Sequence, residues 1–265
     1  MTSLQAKSLR IKRSRLLSEQ NPAELMTNLQ FYTTPEAVEE CSVYRLQPEE
    51  KHLFAKYYRS GDRILDLACG LGRTTLILYE MGLSVRGIDA SETLINVAKR
   101  RFPYLDLGVG SFARIEEPDS AYSHVLISSN ALDLAYPESQ RDIALRECLR
   151  VLKAGGTFIY SSHNLKALQL WSPRYWRSAP LWKLRNTLKA FRAKAYVFEG
   201  SLCGIFSSPE FVVQQTESIG FKFLEMIGPR MSSDRRLNKY FSINIHYAFM
   251  KPASEFPGSS KPPKP

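Results

Sequence analysis

Short apolar runs alternate with amphipathic stretches over most of the chain between residues 63 and 250. The apolar runs are typical of strands buried on both faces, and the stretches between them carry apolar residues at helical spacing. Because strands alternate with helices, we expect right-handed crossovers and a doubly wound α/β fold with a seven-stranded, mostly parallel sheet. The predicted strands cover residues 63–69, 84–89, 105–109, 122–128, 156–162, 221–227 and 242–250, and the predicted helices cover 73–81, 91–101, 138–152 and 208–219.

The two ends of this pattern set the expected organisation of the chain. About a dozen residues separate the last two predicted strands, which leaves little room for a helical crossover. The final strand is therefore expected to run antiparallel, as an inverted edge of the sheet. The expected divisions are a basic tail with cap helices at 1–58, an α/β domain at 59–250 with a helical lid inserted at 164–206, and a proline-rich, disordered tail at 251–265.

The segment Arg63–Thr75 has the pattern of a strand, a glycine turn and the start of a helix. Gly70 and Gly72 remove side chains where the backbone turns tightly and lies against a ligand, and the first amide groups of the helix point into the same space. Asp89 ends the next predicted strand, at the offset where a carboxylate meets ribose hydroxyls in dinucleotide-type folds. We therefore expect a nucleotide-like ligand above this turn.

Two further residues narrow the kind of nucleotide. Thr75 occupies the place of the third glycine in G-x-G-x-x-G, which counts against a nicotinamide or flavin site. Asp66 lies four residues before Gly70. A carboxylate that points into the cleft suits a ligand with an amino group and repels a pyrophosphate.

Three motifs carry a family resemblance, namely LDLACGLGR at residues 65–73, GIDAS at 87–91 and LRVLKAGG at 149–156. In this order and at these separations they closely resemble the successive motifs of class I S-adenosylmethionine-dependent methyltransferases. The resemblance covers about residues 60–165 and, more loosely, 205–250. It implies a Rossmann-like fold and S-adenosylmethionine as the cofactor.

The resemblance also implies roles for residues at the carboxyl ends of the strands. The glycine turn would approach the methionine and the sugar, Asp66 would order the amino end, and Asp89 would take the ribose diol. Ala90 and Phe112 would pack against adenine. The family often has glycine at the position of Ala68, and at that of Ser111 an acidic residue that receives the adenine amino group. The full candidate set for the cofactor is Asp66, Ala68, Gly70, Gly72, Asp89, Ala90, Ser111, Phe112 and Ser128.

The expected chemistry is an in-line displacement, so the acceptor atom must be held in line with the methyl group. A poorly acidic acceptor also needs a base. His163, at the end of the fifth strand, is the candidate because imidazole takes a proton near neutral pH, and a hydrogen-bonded wall residue is the alternative. Tyr44 would close over the methionine by resemblance, or else belongs to the core. The candidates for the acceptor site are Tyr44, Asn130, Asp133, Asn164, Trp171 and Trp176.

The formal charge of +10 is concentrated in residues 1–20 and 164–200. The second stretch contains all three tryptophans and predicts a lid with several open interpretations: a helix with a solvated basic face, a site that captures an anionic acceptor, or an attachment to an acidic membrane. Nucleic acid stays open but is not favoured, because no recognition motif is visible. The four cysteines lack a C-x-x-C pair, which argues against a zinc site or a disulfide framework, and we expect no metal.

These observations predict an enzyme that transfers a methyl group from S-adenosylmethionine to a small-molecule, glycan-linked or lipid-linked acceptor, expected to be anionic. An RNA or protein methyltransferase and a non-catalytic cofactor-binding module are the alternatives. A reducing cytosol is the simplest location, with contact to a membrane surface left open. The sequence does not define the acceptor atom or the oligomeric state.

Overall fold

The computed structural model describes residues 13–15, 28, 30–135, 138–167, 194–199 and 204–253. The longest described helix has 14 residues, and no helix in these ranges is long and apolar enough to cross a membrane. The helices are α1 (Pro35–Glu40), α2 (Pro48–Tyr57), α3 (Arg73–Glu80), α4 (Glu92–Arg101), α5 (Glu138–Val151), α6 (Pro209–Ser218) and α7 (Arg235–Phe241), with a short 3-10 helix at Ala131–Leu134. The strands are β1 (Arg13–Arg15), β2 (Arg63–Leu67), β3 (Ser84–Asp89), β4 (Asp106–Val109), β5 (Tyr122–Ile127), β6 (Leu152–His163), β7 (Ala195–Glu199), β8 (Gly204–Ser207), β9 (Lys222–Ile227) and β10 (Asn244–Met250).

Seven of these strands form one sheet in the order β4-β3-β2-β5-β6-β10-β9. The pairs from β4 to β6 are parallel, and β10 runs antiparallel to both β6 and β9. The predicted sheet and its antiparallel last strand are confirmed. The antiparallel strand is not at the edge, however, because β10 is inserted between β6 and β9. The short helix α7 occupies the connection between β9 and β10, where the sequence pattern predicted no helix.

The strand order reverses beside β2, because the chain passes from β2 to β3 on one side and returns to β5 on the other. In doubly wound sheets the ligand crevice lies at this reversal, beyond the carboxyl ends of the strands. Helices cover both faces of the sheet, as parallel strands require. One buried cluster joins the strands to α5 and α6, and a second joins them to α2 and α3. The candidate residues at the strand ends therefore stand on a rigid support.

A small antiparallel sheet, β1-β7-β8, lies outside the main sheet. Its register pairs Arg13 with Glu199 and Ala195 with Ser207. The helical lid expected over 164–206 is therefore wrong where the structure describes strands in that segment. The rest of the expected lid, at 168–193 and 200–203, lies outside the described residues, as do Trp171 and Trp176 and the tail from residue 254.

Candidate functional site

The turn after β2, where the strand order reverses, contains three residues with a left-handed backbone conformation. Ala68, Gly70 and Gly72 have φ angles of 55°, 57° and 80°. Gly72 begins α3 without a side-chain cap, so the first amide groups of the helix are available to a ligand. A Cβ atom placed on Gly70 would be in ordinary van der Waals contact with Cys41 Sγ and Leu94 Cδ1, both at 3.9 Å, so no atom crowds this position. The turn therefore offers hydrogen-bond donors and room for a ligand.

Asp89, at the end of β3, faces the same space. One carboxylate oxygen accepts a hydrogen bond from the Gly70 amide and the other from the Ser91 amide, both at 2.8 Å. Burial raises the pKa of the Asp89 carboxyl, and the two amide bonds act in the opposite direction. Each carboxylate oxygen has a second lone pair, so a ribose diol can still donate to a half-exposed Asp89.

The proposed adenine contacts lie at the neighbouring strand ends. Ala90 and Ser111 are exposed. Phe112 is half-buried and packs against the main core cluster. The Ser111 hydroxyl accepts a hydrogen bond from the Ala113 amide at 3.1 Å, so Ser111 shapes a turn. These positions, with the glycine turn and Asp89, form a surface whose donors, acceptor and apolar wall match the parts of S-adenosylmethionine.

Asp66 does not face the cleft, in contrast to the sequence-based expectation. Its side chain is fully buried. One oxygen accepts hydrogen bonds from the hydroxyls of Thr74 and Thr75 at 2.5 and 2.7 Å, and the other has no partner among the described residues. Burial raises the pKa of Asp66 to about 6. The residue therefore fixes the start of α3 from below.

The Ser128 hydroxyl also does not face the cleft. It belongs to an ion-pair network that the sequence did not predict. Arg73 donates to the two oxygens of Glu50 at 2.8 and 2.6 Å and to the Ser128 hydroxyl at 2.6 Å. The Ser128 hydroxyl in turn donates to Glu50. Burial opposes ionisation of Glu50, but the hydrogen bonds and charge of Arg73 outweigh it and hold the pKa of Glu50 below its ordinary value.

This Glu50–Arg73–Ser128 network ties α2 to the glycine turn and to the end of β5. A sequence signal for it exists, because Glu50 lies between the buried apolar residues Leu46, Leu53 and Phe54 at helical spacing. A charged residue on an apolar face needs a partner of opposite charge. Arg73, directly after the glycine turn, is that partner.

His163, at the end of β6, is paired with Asp133. The imidazole Nδ1 lies 2.9 Å from a carboxylate oxygen of Asp133, and the same oxygen accepts the backbone amide of His163 at 2.7 Å. Because a carboxylate only accepts hydrogen bonds, Nδ1 carries the proton and Nε2 has a lone pair. The side-chain amide nitrogen of Asn130 lies 3.2 Å from Nε2 and donates a hydrogen bond to it. The ring of His163 stacks on Phe206 with centroids 4.2 Å apart.

Asp133 is buried beneath His163 and does not itself line the acceptor site. It accepts a hydrogen bond from the Ser162 hydroxyl at 2.6 Å. The guanidinium of Arg141, which is fully buried, lies 3.7 Å from the same carboxylate oxygen of Asp133. Asp133 therefore acts on an acceptor only through His163.

Backbone strain marks the same place. Ser129 and Asn130 are consecutive non-glycine residues with φ angles of 54° and 58°. Left-handed backbone is costly for such residues and is kept where the surroundings enforce it, often at functional sites. A hydrogen bond from the Asn130 amide to the Ser161 hydroxyl, at 2.8 Å, holds this turn against β6.

The remaining acceptor candidates differ. The Tyr44 hydroxyl donates to the Leu71 carbonyl at 3.4 Å, and its ring packs edge-on against Phe102, so Tyr44 covers the glycine turn while half-buried. Asn164 is wrong as a lining residue, because it is fully buried. Its side-chain amide donates to the carbonyls of Asn238, Lys239 and Ser242 and so holds the end of α7.

Comparisons with known proteins agree with this site. Residues 64–156 match the family model described as a methyltransferase domain. A demethylmenaquinone methyltransferase from Paenarthrobacter aurescens is 30% identical over 115 residues, which are 43% of this chain and 44% of the relative. The aligned part thus spans less than half of that relative.

Solved structures share the fold. A SAM-dependent methyltransferase from Methanosarcina mazei superposes with a TM-score of 0.60 at 17% identity, covering 79% of this chain and 99% of the other. The [4+2]-cyclase SpnF superposes with a TM-score of 0.57 at 14% identity, covering 87% of this chain and 97% of the other. The fold is therefore shared by proteins whose names describe different reactions.

Proposed function

This chain carries a class I S-adenosylmethionine-dependent methyltransferase domain, and we propose that it transfers the methyl group of this cofactor to a small-molecule acceptor that His163 deprotonates. The Asp133–His163 pair at the end of β6 carries the proposal. The strand β6 is separated from β2 and its glycine turn only by β5. The base and the cofactor turn therefore share one edge of the sheet.

The residues present fit the cofactor. The glycine turn gives amide donors and is not crowded at Gly70, Asp89 keeps acceptor capacity for the ribose, and Ala90 and Phe112 offer an apolar wall for adenine. Tyr44 covers the turn from the side of α1 and α2. The bound cofactor supplies an electrophilic methyl group on a sulfonium. The remaining work of the protein is to align the acceptor and to move one proton.

His163 moves that proton. Asp133 fixes the Nδ1–H tautomer, so Nε2 accepts the proton from the acceptor as the new bond to the methyl group forms and the bond to sulfur breaks. The Asp133 carboxylate then stabilises the imidazolium, which returns the proton to solvent. Stacking on Phe206 fixes the plane of the ring. The side-chain amide of Asn130 donates to Nε2 in this structure, so the acceptor hydroxyl must take its place at Nε2 before the proton moves.

The acceptor is proposed to be a small molecule with an apolar body, of the demethylmenaquinone type. The name of the Paenarthrobacter relative supports this class, and the half-buried aromatic ring of Tyr44 suits it. A quinone ring becomes nucleophilic in its reduced form, whose hydroxyl protons a histidine can take. An RNA or a protein acceptor has no comparable support among the described residues.

The test is transfer of labelled methyl from S-adenosylmethionine to a short-chain demethylmenaquinone, offered oxidised and chemically reduced. His163→Gln keeps the side-chain size and removes the base, so turnover should fall by a factor on the order of 10² or more while cofactor affinity stays constant. His52→Gln, at an exposed histidine of α2, is the matched control. Turnover of His163→Gln within a few-fold of the unmodified protein would show that His163 is not the base.

A further inference from the structure

The helix α7 and the turn before it expose an unusual group of apolar side chains. Met231, Leu237, Tyr240 and Phe241 retain 43%, 44%, 37% and 40% of their accessible surface. These are four of the ten large apolar side chains that are exposed in the described ranges. Scattered single residues of this kind are normal at a surface, but a cluster within one short segment marks an interaction site. We call these four residues the α7 patch.

The apolar side chains of the α7 patch do not hold the helix in place. Asn238 is the only buried residue of α7. Its side-chain amide donates to the Ser232 carbonyl at 2.7 Å, and the Asn164 amide donates to three carbonyls at the end of the helix. Polar anchors thus fix α7 from below, and Leu237 and Tyr240 stay exposed on its outer face.

Positive charge surrounds the patch. Residues 228–243 contain Arg230, Arg235, Arg236 and Lys239 against the single acid Asp234. Lys239 pairs with Glu210 at 2.6 Å, and Asp234 caps the backbone of α7. In the described part of the chain the three arginines have no acidic partner within ion-pair distance. Arg230 and Arg235 stack over the rings of Phe241 and Phe223, contacts that do not neutralise their charge. An apolar patch ringed by cations without acidic partners is the pattern that binds an anionic lipid surface.

The α7 patch also adjoins the candidate active site. Asn164 follows His163 directly and holds α7, and the Asn244 side chain, just after α7, accepts a hydrogen bond from Asn130 at 3.2 Å. Asn130 is the residue beside the Nε2 atom of His163. A surface bound to α7 therefore lies next to the acceptor site.

We propose that α7 and its arginines dock this protein on an anionic lipid bilayer, so that the acceptor site takes a lipid-linked acceptor from the membrane. Docking on the bilayer stands independently of the proposed function, whereas the lipid-linked acceptor rests on it. The apolar side chains enter the headgroup boundary while the arginines contact lipid phosphates. Salt weakens such binding by screening the charges.

Vesicle binding tests the docking without any acceptor present. The full chain is mixed with vesicles of phosphatidylglycerol and phosphatidylcholine, and in parallel with pure phosphatidylcholine, and the bound fraction is measured by co-sedimentation. We expect binding to the anionic vesicles that is at least tenfold stronger and that falls as salt is raised. Equal binding to both vesicle types, or none to either, overturns the proposal.

Matched variants locate the surface. Leu237→Gln with Tyr240→Gln, and separately Arg230→Gln with Arg236→Gln, should each weaken anionic-vesicle binding at least tenfold. The controls are Tyr79→Gln with Tyr104→Gln, at exposed tyrosines elsewhere, and Lys99→Gln with Arg100→Gln, at exposed cations of α4. Control variants should bind within twofold of the unmodified protein. If the α7 variants also bind normally, or lose self-association instead of vesicle binding, the proposal is wrong.

Cofactor affinity separates this inference from the proposed function. The α7 variants should bind S-adenosylmethionine and methylate a soluble, short-chain acceptor at unchanged rates, because none of their residues belongs to the catalytic site. Loss of vesicle binding with normal methyl transfer supports docking. Normal vesicle binding without methyl transfer to any quinone would support docking and contradict the proposed acceptor.

Discussion

Ala68 adopts a left-handed backbone conformation with φ 55° in the turn that faces the cofactor space. Such a conformation costs an alanine about 1–2 kcal/mol, which a glycine avoids. Glycine in turn makes the unfolded chain more flexible, which costs about 0.5–1 kcal/mol of folding free energy. Ala68→Gly should therefore raise the free energy of unfolding by about 0.5–1 kcal/mol in urea titrations. Ala90→Gly, where φ is not positive, is the control and should lower it. A shift of both variants in the same direction would contradict the strain.

His246 makes stability depend on pH. It is fully buried, neither ring nitrogen has a partner among the described residues, and burial lowers its pKa to about 4. Below pH 6.5 His246 binds a proton in the unfolded chain but stays neutral in the folded chain. The free energy of unfolding therefore falls as the pH drops from about 6.5 towards 4. Asp66 acts in the opposite direction, because its raised pKa lets the folded chain bind a proton first.

A variant isolates the histidine contribution. His246→Gln cannot titrate, so its loss of unfolding free energy between pH 7 and 4.5 should be smaller than that of the unmodified protein by about 2 kcal/mol. Urea titrations at the two pH values give the difference. If both proteins lose the same amount, His246 does not carry the acid sensitivity.

Side-chain direction sets the limit of prediction at single positions. The glycine turn, Asp89 and His163 lie where the motifs placed them, because strand ends in a parallel sheet meet at one edge. Asp66 and Asn164 stand at the same strand ends, yet both are buried and bonded elsewhere. Whether such a side chain faces the cleft depends on its partners. Thr74 binds Asp66 from just outside the motif, and α7 binds Asn164 from a distant part of the chain.

The helix α2 depends on one buried ion pair. Glu50→Leu leaves the Arg73 guanidinium without its carboxylate in a site where only 14% of that side chain is exposed, so the free energy of unfolding should fall by about 3 kcal/mol. Adding Arg73→Met should recover part of the loss, and urea titrations of the single and double variants give the coupling. Glu49→Leu is a matched control, since Glu49 is buried beside Glu50 and has no ion pair in the described ranges. A loss at Glu50 no larger than at Glu49 would contradict the anchoring role.

The elements that the sequence did not predict are short, and one of them has a distant partner. β1 has three residues and pairs with β7, more than 180 positions away. β7 and β8 have five and four residues, too few for a periodic signal. The pattern of basic and apolar residues before them suggested a helix, and the β pairing overrides it at Ala195–Glu199. α7 was missed because it has only seven residues, too few for a sustained helical period, although Leu237, Tyr240 and Phe241 stand at helical spacing.

The architecture of the whole molecule was predictable, whereas the reaction was not. Short apolar runs separated by helices predicted a seven-stranded, mostly parallel sheet with an antiparallel last strand, and three motifs carried the resemblance to the methyltransferase family. The same fold occurs in the [4+2]-cyclase SpnF, so architecture alone does not establish methyl transfer. The reaction depends on the site, and the proposed proton transfer depends on the Asp133–His163 pair at the end of β6.

Following a labelled methyl group tests the central claim most directly. The full chain is incubated with methyl-labelled S-adenosylmethionine and an extract of source cells, which is then fractionated into nucleic acid, protein, small-molecule and lipid pools. We predict that label enters the small-molecule or lipid pool, and that His163→Gln lowers this transfer by a factor on the order of 10². Label in nucleic acid or protein, or cofactor binding without any transfer, would contradict the account.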